Sequence, residues 1–265
     1  MTRLAFIGGG KMAEALIAKL SAPSEIVVSD INPKRLVYLK KKYKVKTTRS
    51  NAEAFAFGQV VILAVKPQDM EKILRNSKFE IRNSKLAISI AAGIPLSYLQ
   101  KKLPGLAIVR AMPNNPCLAG KGITALAKGK KVSAKMLKQA KAIFEKVGKV
   151  EVVPEKLLDA ITGLSGSGPA FVYQTIEALE NGGIEAGLPR PLAAAFARQT
   201  VWGAAATVVE TGLDPQELRK MVTSPGGTTI EGLKVLKKGR VSASLAKAVK
   251  AAAKKSKQLA KKWTS

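Results

Sequence analysis

The 265-residue sequence contains no histidine and a single cysteine, Cys117. The first absence removes the commonest general base and the commonest metal ligand together. The second leaves no intrachain disulfide and no multi-cysteine metal cluster, so no metal site is expected. No stretch approaches the ~20 apolar residues that a membrane helix needs. The opening residues, MTRLAFIGGGKM, pass into a strand pattern without the long apolar core and small-residue cleavage site of a secretory signal. The expectation is a cytoplasmic protein with no membrane partner. Acidic residues are scarce as well: 18 Asp and Glu stand against 45 Lys and Arg, a net charge of +27. Such a field attracts polyanions without choosing among them. Aromatics make up only 5% of the chain, and few lie beside the lysine runs to stack on bases. The charge therefore reads as solvated surface, and nucleic acid is not expected as a partner.

What is present is an ordinary globular composition, 46% apolar, in a chain long enough for one large or two modest domains. Up to about residue 130, short β-branched runs alternate with helical stretches. RLAFIG, EIVVSD, QVVILAV, KLAISIA and LAIVRAM are continuously apolar, as strands are when both faces of a sheet are covered. Helical patterns fall at 11–20, 33–43, 96–103 and 133–147, and GITALAKG adds a late strand. Strict alternation predicts an α/β fold, a doubly wound parallel sheet of Rossmann type. After Val153 the pattern changes to Ala, Leu, Glu, Lys and Gln at helical spacing. Helices are predicted over 170–187, 191–211, 215–221, 228–237 and 242–263. The expected organisation is a dinucleotide-binding domain over 1–153 and an all-helical domain over 154–265. Segments such as RPLAAAFARQTVWGAAATVV are apolar on more than one face, which points to a partner subunit.

The first turn carries the chemistry. After the opening strand comes Gly8-Gly9-Gly10-Lys11-Met12-Ala13, and then a helix. Read as G-x-G-x-x-A, Gly8 permits the tight turn, Gly10 admits a pyrophosphate to the backbone, and Ala13 lets helix and strand pack closely. Asp30 ends the second strand, 20 residues beyond Gly10, where ribose recognition belongs. Its carboxylate suits the free 2′-hydroxyl of NAD(H), whereas Asn32, Lys34 and Arg35 suit the 2′-phosphate of NADP(H), so both cofactors stay open. AVKPQ, SIAAGIP and RAMPNNP follow the third, fourth and fifth of these strands, where open α/β sheets bind ligands.

In this order, FIGGGKMAEAL, AVKP, SIAAG, RAMPNNP, GLSGSGPAF and MVTSPGGTTIEGL resemble the pyrroline-5-carboxylate reductase family over nearly the whole chain. The last motif is the specific one. The resemblance implies an enzyme that reduces L-Δ1-pyrroline-5-carboxylate to L-proline, the last step of proline biosynthesis. NADP(H) is the favoured hydride carrier and NAD(H) the alternative, and the helical domains interlock as a homodimer or a higher oligomer built from dimers. It implies that Thr229 holds the ring nitrogen. Ser224, Gly226, Gly227 and Thr228 complete the substrate loop, and Ser165, Ser167 and Gly168 complete the pocket. The cofactor side comprises Ile7, Gly8, Gly9, Gly10, Lys11 and Met12; then Asp30, Asn32, Lys34, Arg35 and Asn51; then Ala64, Val65, Lys66 and Pro67; and finally Ala92, Gly93, Met112 and Pro113. Read alone, SPGGTT fits a Gly-rich turn capped by threonine; it is also compatible with an anion site, because two glycines before a helix let successive backbone N–H groups point at an anion such as a carboxylate. A cyclic imine arrives already basic, so its reduction asks for orientation more than for a strong acid, in keeping with the missing histidine. A hydroxyacid dehydrogenase is the rival reading. Such enzymes carry a lysine-type base after the corresponding Gly-rich loop, and LSGSGPAFVYQTIEAL has none.

Overall fold

A computed structural model describes residues 2–20, 22–76 and 85–263. By spatial compactness the chain forms two units, Met1–Ser167 with Lys250–Ser265, and Gly168–Val249.

The first unit is built on strands β1 (Leu4–Ile7), β2 (Ile26–Ser29), β3 (Lys46–Thr48), β4 (Val60–Leu63), β5 (Leu86–Ser89), β6 (Ala107–Met112), β7 (Gly122–Lys128) and β8 (Gly148–Val152). Among the described residues they form one sheet in the order β3-β2-β1-β4-β5-β6-β7-β8, parallel at every pairing except β6 with β7. The helices of this unit are α1 (Lys11–Ile17), α2 (Pro33–Tyr43), α3 (Asn51–Phe57), α4 (Pro67–Asn76), α5 (Leu96–Lys102), α6 (Ala134–Phe144) and α7 (Leu158–Ile161). The apolar runs are explained by two cores, one on each face. Leu4 and Phe6 of β1 pack with Leu16 of α1, Leu39 of α2 and Phe144 of α6 on one side. Ala5 and Ile7 pack with Phe55 of α3, Met70 of α4 and Leu99 of α5 on the other. A strand buried on both faces has no polar positions to alternate, so its sequence reads as continuous.

β3, α3, α4 and β8 lie outside the sequence expectation: the first three fill in the strand–helix alternation, and β8 follows the long helix. That helix is shorter than 133–147: it ends at Phe144 and tightens into one 3₁₀ turn, Glu145–Val147, before Gly148 turns the chain at φ 148°. β7 is antiparallel to β6, because the two are joined by a short turn around Asn115–Ala119 instead of a crossover helix.

The second unit is helical, with α8 (Gly168–Glu185), α9 (Arg190–Thr211), α10 (Pro215–Met221), α11 (Thr228–Lys238) and the first part of α12 (Val241–Lys261). Asp214 caps α10 through the N–H of Gln216, and Gly212 at φ 70° ends α9. α9 buries only Ala193, Ala194 and Ala197, while Phe196, Trp202 and Val209 stay about 60% exposed. Gly183 of α8 is what lets α9 approach: a Cβ there would lie 3.3 Å from that of Ala193.

The rest of α12 belongs to the first unit. Ser256, only 3% exposed, donates to Asp159 at 2.7 Å, and Trp263 meets Tyr98 of α5 edge-on at 4.7 Å. Truncation after residue 249 therefore uncovers part of one core. A chain ending there is expected to show a lower Tm than the full chain, with loss of the Trp263 contribution to near-ultraviolet circular dichroism. An unchanged Tm would show that α12 adds nothing to this packing.

Candidate active site

Most of the expected cofactor-side residues follow the carboxyl ends of five neighbouring strands, β2, β1, β4, β5 and β6. β1 and β4 are adjacent although α1 leads from β1 to β2, so the strand order reverses between them and a crevice opens there. The turn after β1 is pinned by backbone: Gly8 donates to the carbonyl of Ser29 at 2.8 Å, and Ala64 donates to Ile7 at 2.8 Å. Gly8 has φ +99°, and a Cβ on it would lie 2.7 Å from the carbonyl oxygen of Ala64. Gly9 is crowded differently, since its Cβ would lie 2.8 Å from Leu39 Cδ1. Gly10 is open: the nearest atom to its absent Cβ is Ala64 O, 4.0 Å away. It is also the N-cap of α1, and no side chain satisfies the helix N-terminus, so the N–H groups of Lys11 and Met12 are available to an anion. This arrangement fits a pyrophosphate, with space where one glycine faces outward and donors beside it.

The end of β2 completes the turn. Asp30 accepts from the N–H of Gly9 at 2.8 Å with one oxygen and from the N–H of Asn32 at 2.8 Å with the other. Asn32 caps α2 through the N–H groups of Lys34 and Arg35. Lys34 is exposed. Asn51 is joined to this corner, accepting from the Ser29 hydroxyl at 2.8 Å. Arg35 is turned inward: its Nε donates to the carbonyl of Gly9, and Nη2 reaches Gly10 O at 3.3 Å and Glu14 Oε2 at 2.6 Å.

Glu14 is the residue that sequence reasoning passed over. It lies in α1 with only 7% exposure and accepts from Arg35, Tyr38, Lys42 and Tyr43. Burial alone would raise its pKa. The hydrogen bonds from Arg35 and the two tyrosines outweigh it and hold the carboxyl at about 2. Its one sequence signal was an acid at a position facing the core of an amphipathic helix, in a chain with few acids.

The remaining residues expected on the cofactor side divide. Ala64, Val65 and Pro67 are half-buried after β4, with Lys66 exposed. Ala92 and Gly93 follow β5, but Gly93, at φ +74°, also receives α12, for its Cβ would lie 3.2 Å from that of Leu259. Met112 ends β6 beside buried Pro113, and a Cβ on Gly166 would press on Met112 Cε at 2.6 Å. This contact brings the π-helical turn Thr162–Gly166, with Ser165 and Ser167, to the same strand end. Ser165 donates to the carbonyl of Ile161 at 3.0 Å, so what it offers a ligand is lone pairs.

The loop expected to hold the substrate lies in the second unit. Gly226 has φ +73°, Gly227 donates to Ser224 O at 3.2 Å, and a Cβ on Gly227 would lie 2.5 Å from Ser224 Oγ. α11 then begins with Gly227 as N-cap and no side-chain cap, leaving the N–H groups of Thr228 and Thr229 facing outward with both threonines exposed. Among the described residues no group of three or more His, Cys, Asp or Glu stands together as a metal site.

A doubly wound sheet with an uncapped glycine turn at its switch point, followed by a helical unit, defines a nicotinamide-dinucleotide oxidoreductase. Residues 3–93 match the family model described as NADP oxidoreductase, coenzyme F420-dependent, and residues 155–259 match that for pyrroline-5-carboxylate reductase dimerisation. The chain is 48% identical to the pyrroline-5-carboxylate reductase of Synechocystis sp., over 98% of this chain and 99% of that protein. A solved pyrroline-5-carboxylate reductase from Coxiella burnetii superposes with a TM-score of 0.87 at 35% identity, covering 97% of this chain and 98% of that one. The Plasmodium falciparum enzyme, solved with NADP bound, superposes with a TM-score of 0.89 at 32% identity, covering 98% of each chain. The chain belongs to the pyrroline-5-carboxylate reductase family.

Two outcomes follow from the turn and its acid. Gly10→Val is expected to keep the wild-type Tm within a few degrees and to weaken dinucleotide binding at least tenfold by calorimetry, whereas Gly8→Val lowers Tm as well. Unchanged affinity in Gly10→Val would reduce the loop to a plain turn. The carboxyl of Glu14 titrates near 2 when folded against 4.5 otherwise, so its contribution is complete above about pH 4.5 and fades as pH falls towards 2. Glu14→Ala should cost about 3 kcal/mol at pH 7, and the gap to wild type should narrow on acidification. Denaturant titrations at pH 7 and pH 3 measure this.

Proposed function

We propose that this chain reduces L-Δ1-pyrroline-5-carboxylate to L-proline with NAD(P)H, using the first unit for the dinucleotide and the loop of residues 224–229 for the substrate. The observation that carries the residue assignment is the pair of uncapped helix N-termini, at Gly10 before α1 and at Gly227 before α11. Each is a backbone anion site, one suited to a pyrophosphate and one to a carboxylate. The family supplies the substrate's name, and the Plasmodium relative supports NADP as a cofactor of this fold.

On this reading the reduced nicotinamide, when bound, supplies the hydride. The chain supplies orientation. Gly8, Gly9 and Gly10 with Lys11 and Met12 hold the pyrophosphate, and Asp30, Asn32, Lys34 and Asn51 face the adenosine ribose. Ala64 to Pro67, Ala92, Gly93, Met112 and Pro113 would border the rings from the ends of β4, β5 and β6, while Ile7, its side chain buried in the core, offers only backbone. The N–H groups of Thr228 and Thr229 receive the carboxylate while Ser224, Gly226 and Gly227 shape the loop. The Thr229 hydroxyl holds the imine nitrogen. A threonine hydroxyl does not titrate near neutrality, so the proton on nitrogen comes with the substrate or from water. With no histidine in the chain, positioning is what the protein contributes to the barrier.

The proposal includes domain boundaries near residue 153 by function, a homodimer and a cytoplasmic setting. The dimer is supported by the dimerisation-model match and by the exposed Phe196, Trp202 and Val209 of α9. The cytoplasm, rich in reduced nicotinamide cofactors and thiols, suits such a reductase with its single buried cysteine.

Purified protein is expected to oxidise NADPH or NADH only with pyrroline-5-carboxylate present, yielding proline by mass spectrometry. Thr229→Val should lower kcat by about tenfold to a hundredfold, in the range of a lost positioning hydrogen bond. No turnover from folded protein with either cofactor would overturn the reading. Ala204→Glu, a charge placed among apolar residues on exposed α9, should shift the light-scattering mass towards monomer and lower activity together.

A further inference from the structure

Arg35 follows the residue that chooses between cofactors, and its charge makes it an obvious clamp for a 2′-phosphate. Its surroundings point elsewhere. The guanidinium has five N–H donors in a fixed fork. Here Nε is directed at Gly9 O, and Nη2 is shared between Gly10 O at 3.3 Å and Glu14 Oε2 at 2.6 Å. The side chain is 20% exposed, and the Glu14 side chain 10%. Each carbonyl shares its peptide plane with the N–H of the next residue, Gly10 or Lys11, so holding these oxygens fixes the direction of amides beside the pyrophosphate position. One of them, Gly10 O, also receives the first helical bond of α1 from the N–H of Glu14 at 3.0 Å.

Resting on the dinucleotide reading above, we propose that Arg35 is a positioning residue for the glycine turn, held in place by Glu14, and that it supports NADH and NADPH alike. Three constraints lead there. A glycine turn is the most flexible backbone in the chain, and an anion site made of its amides works only if their directions are fixed beforehand. Arg35 fixes them from behind, by holding the carbonyls of Gly9 and Gly10, while Asp30 fixes the Gly9 N–H from the side. Releasing Arg35 towards a 2′-phosphate would leave the buried carboxylate of Glu14 with only Lys42, at 3.2 Å, as a cationic partner. Its low pKa keeps that carboxylate charged throughout the physiological range, so the restraint never relaxes. The choice between the two cofactors then falls to Asp30 and to two exposed cations, Lys34 in the first turn of α2 and Arg49 just after β3.

The experiment is a titration of the full-length protein with NADH and with NADPH, without substrate, following the fluorescence of the reduced nicotinamide. Wild type is compared with Arg35→Met, Arg35→Lys and Glu14→Gln. Arg35→Met is expected to raise both dissociation constants by about tenfold or more, and to change their ratio by less than about twofold, as the loss of a shared support requires. Arg35→Lys keeps the charge but loses the fork, and should resemble Arg35→Met. Glu14→Gln should weaken both cofactors in the same sense by a smaller factor. Steady-state assays should show raised KM for both dinucleotides with kcat at saturation changed much less. Selective loss of NADPH binding in Arg35→Met, retained by Arg35→Lys, would overturn the proposal in favour of a charge clamp. Unchanged affinity for both would overturn it too. Should Arg35→Met fail to fold, Arg35→Lys and Glu14→Gln carry the same comparison. Failure of wild type to bind either dinucleotide would instead bring down the reading on which the proposal rests.

Discussion

The close passage of β1 and β4 at their carboxyl ends governs the first unit. Where the chain leaves Ile7, the carbonyl of Ala64 stands so near that a Cβ on Gly8 would lie 2.7 Å from it. That approach demands glycine with positive φ, and the demand has consequences in sequence order. The chain must turn at once, α1 must begin within three residues, and its first amides must emerge over the gap between two strands whose crossovers depart to opposite faces. The two cores above and below the sheet hold those strands in register, with Leu4 opposite Val60 and Ile7 opposite Leu63. A dinucleotide site in this position is a product of backbone geometry, and side chains refine it.

The same economy appears in the second unit. α11 presents bare amides after Gly226 and Gly227, and the exposed hydroxyl of Thr229 stands in its first turn. On the proposed reading, neither anion site depends on a group that titrates near neutrality, as a chain without histidine requires. The charge of +27 belongs to a different scale: it raises the local concentration of anionic substrate and cofactor over the whole surface, while fixed amides select position.

The strands of the first unit were readable because burial on both faces writes itself as an unbroken apolar run. β3 was not, since Lys46–Thr48 is an edge strand with partly exposed side chains, and β8 was not, since GKVEV buries only Val150. Asp30, Asn32 and the three glycines were legible because their roles depend on local order along the chain. The role of Arg35 was illegible for the opposite reason. Its charge suggested a ligand, and only the fold brings Glu14, 21 residues earlier, to within 2.6 Å. Composition changes at Val153, yet the first compact unit runs on to Ser167. Leu158 lies in a core beneath the sheet, and the turn around Gly166 packs on Met112. Helical periodicity likewise gave α12 its length and could not show that its latter part belongs with the first unit.

The uncovered apolar surface of α8 and α9 then acquires a physical necessity. A two-helix pairing that buries three alanines, with Phe196, Trp202 and Val209 left in water, removes too little apolar area to offset the ordering of its own backbone. Helices of 18 and 22 residues gain most of their stability from packing, not from propensity. In the proposed homodimer, burial against a second copy would supply the missing area to the same helices in both chains at once. The loop of residues 224–229 follows α10 and opens α11 within this unit, so on the proposed reading the order of its amides would be tied to that assembly. Association would then precede the anion site, and folding, pairing and substrate recognition in the second unit would be one equilibrium.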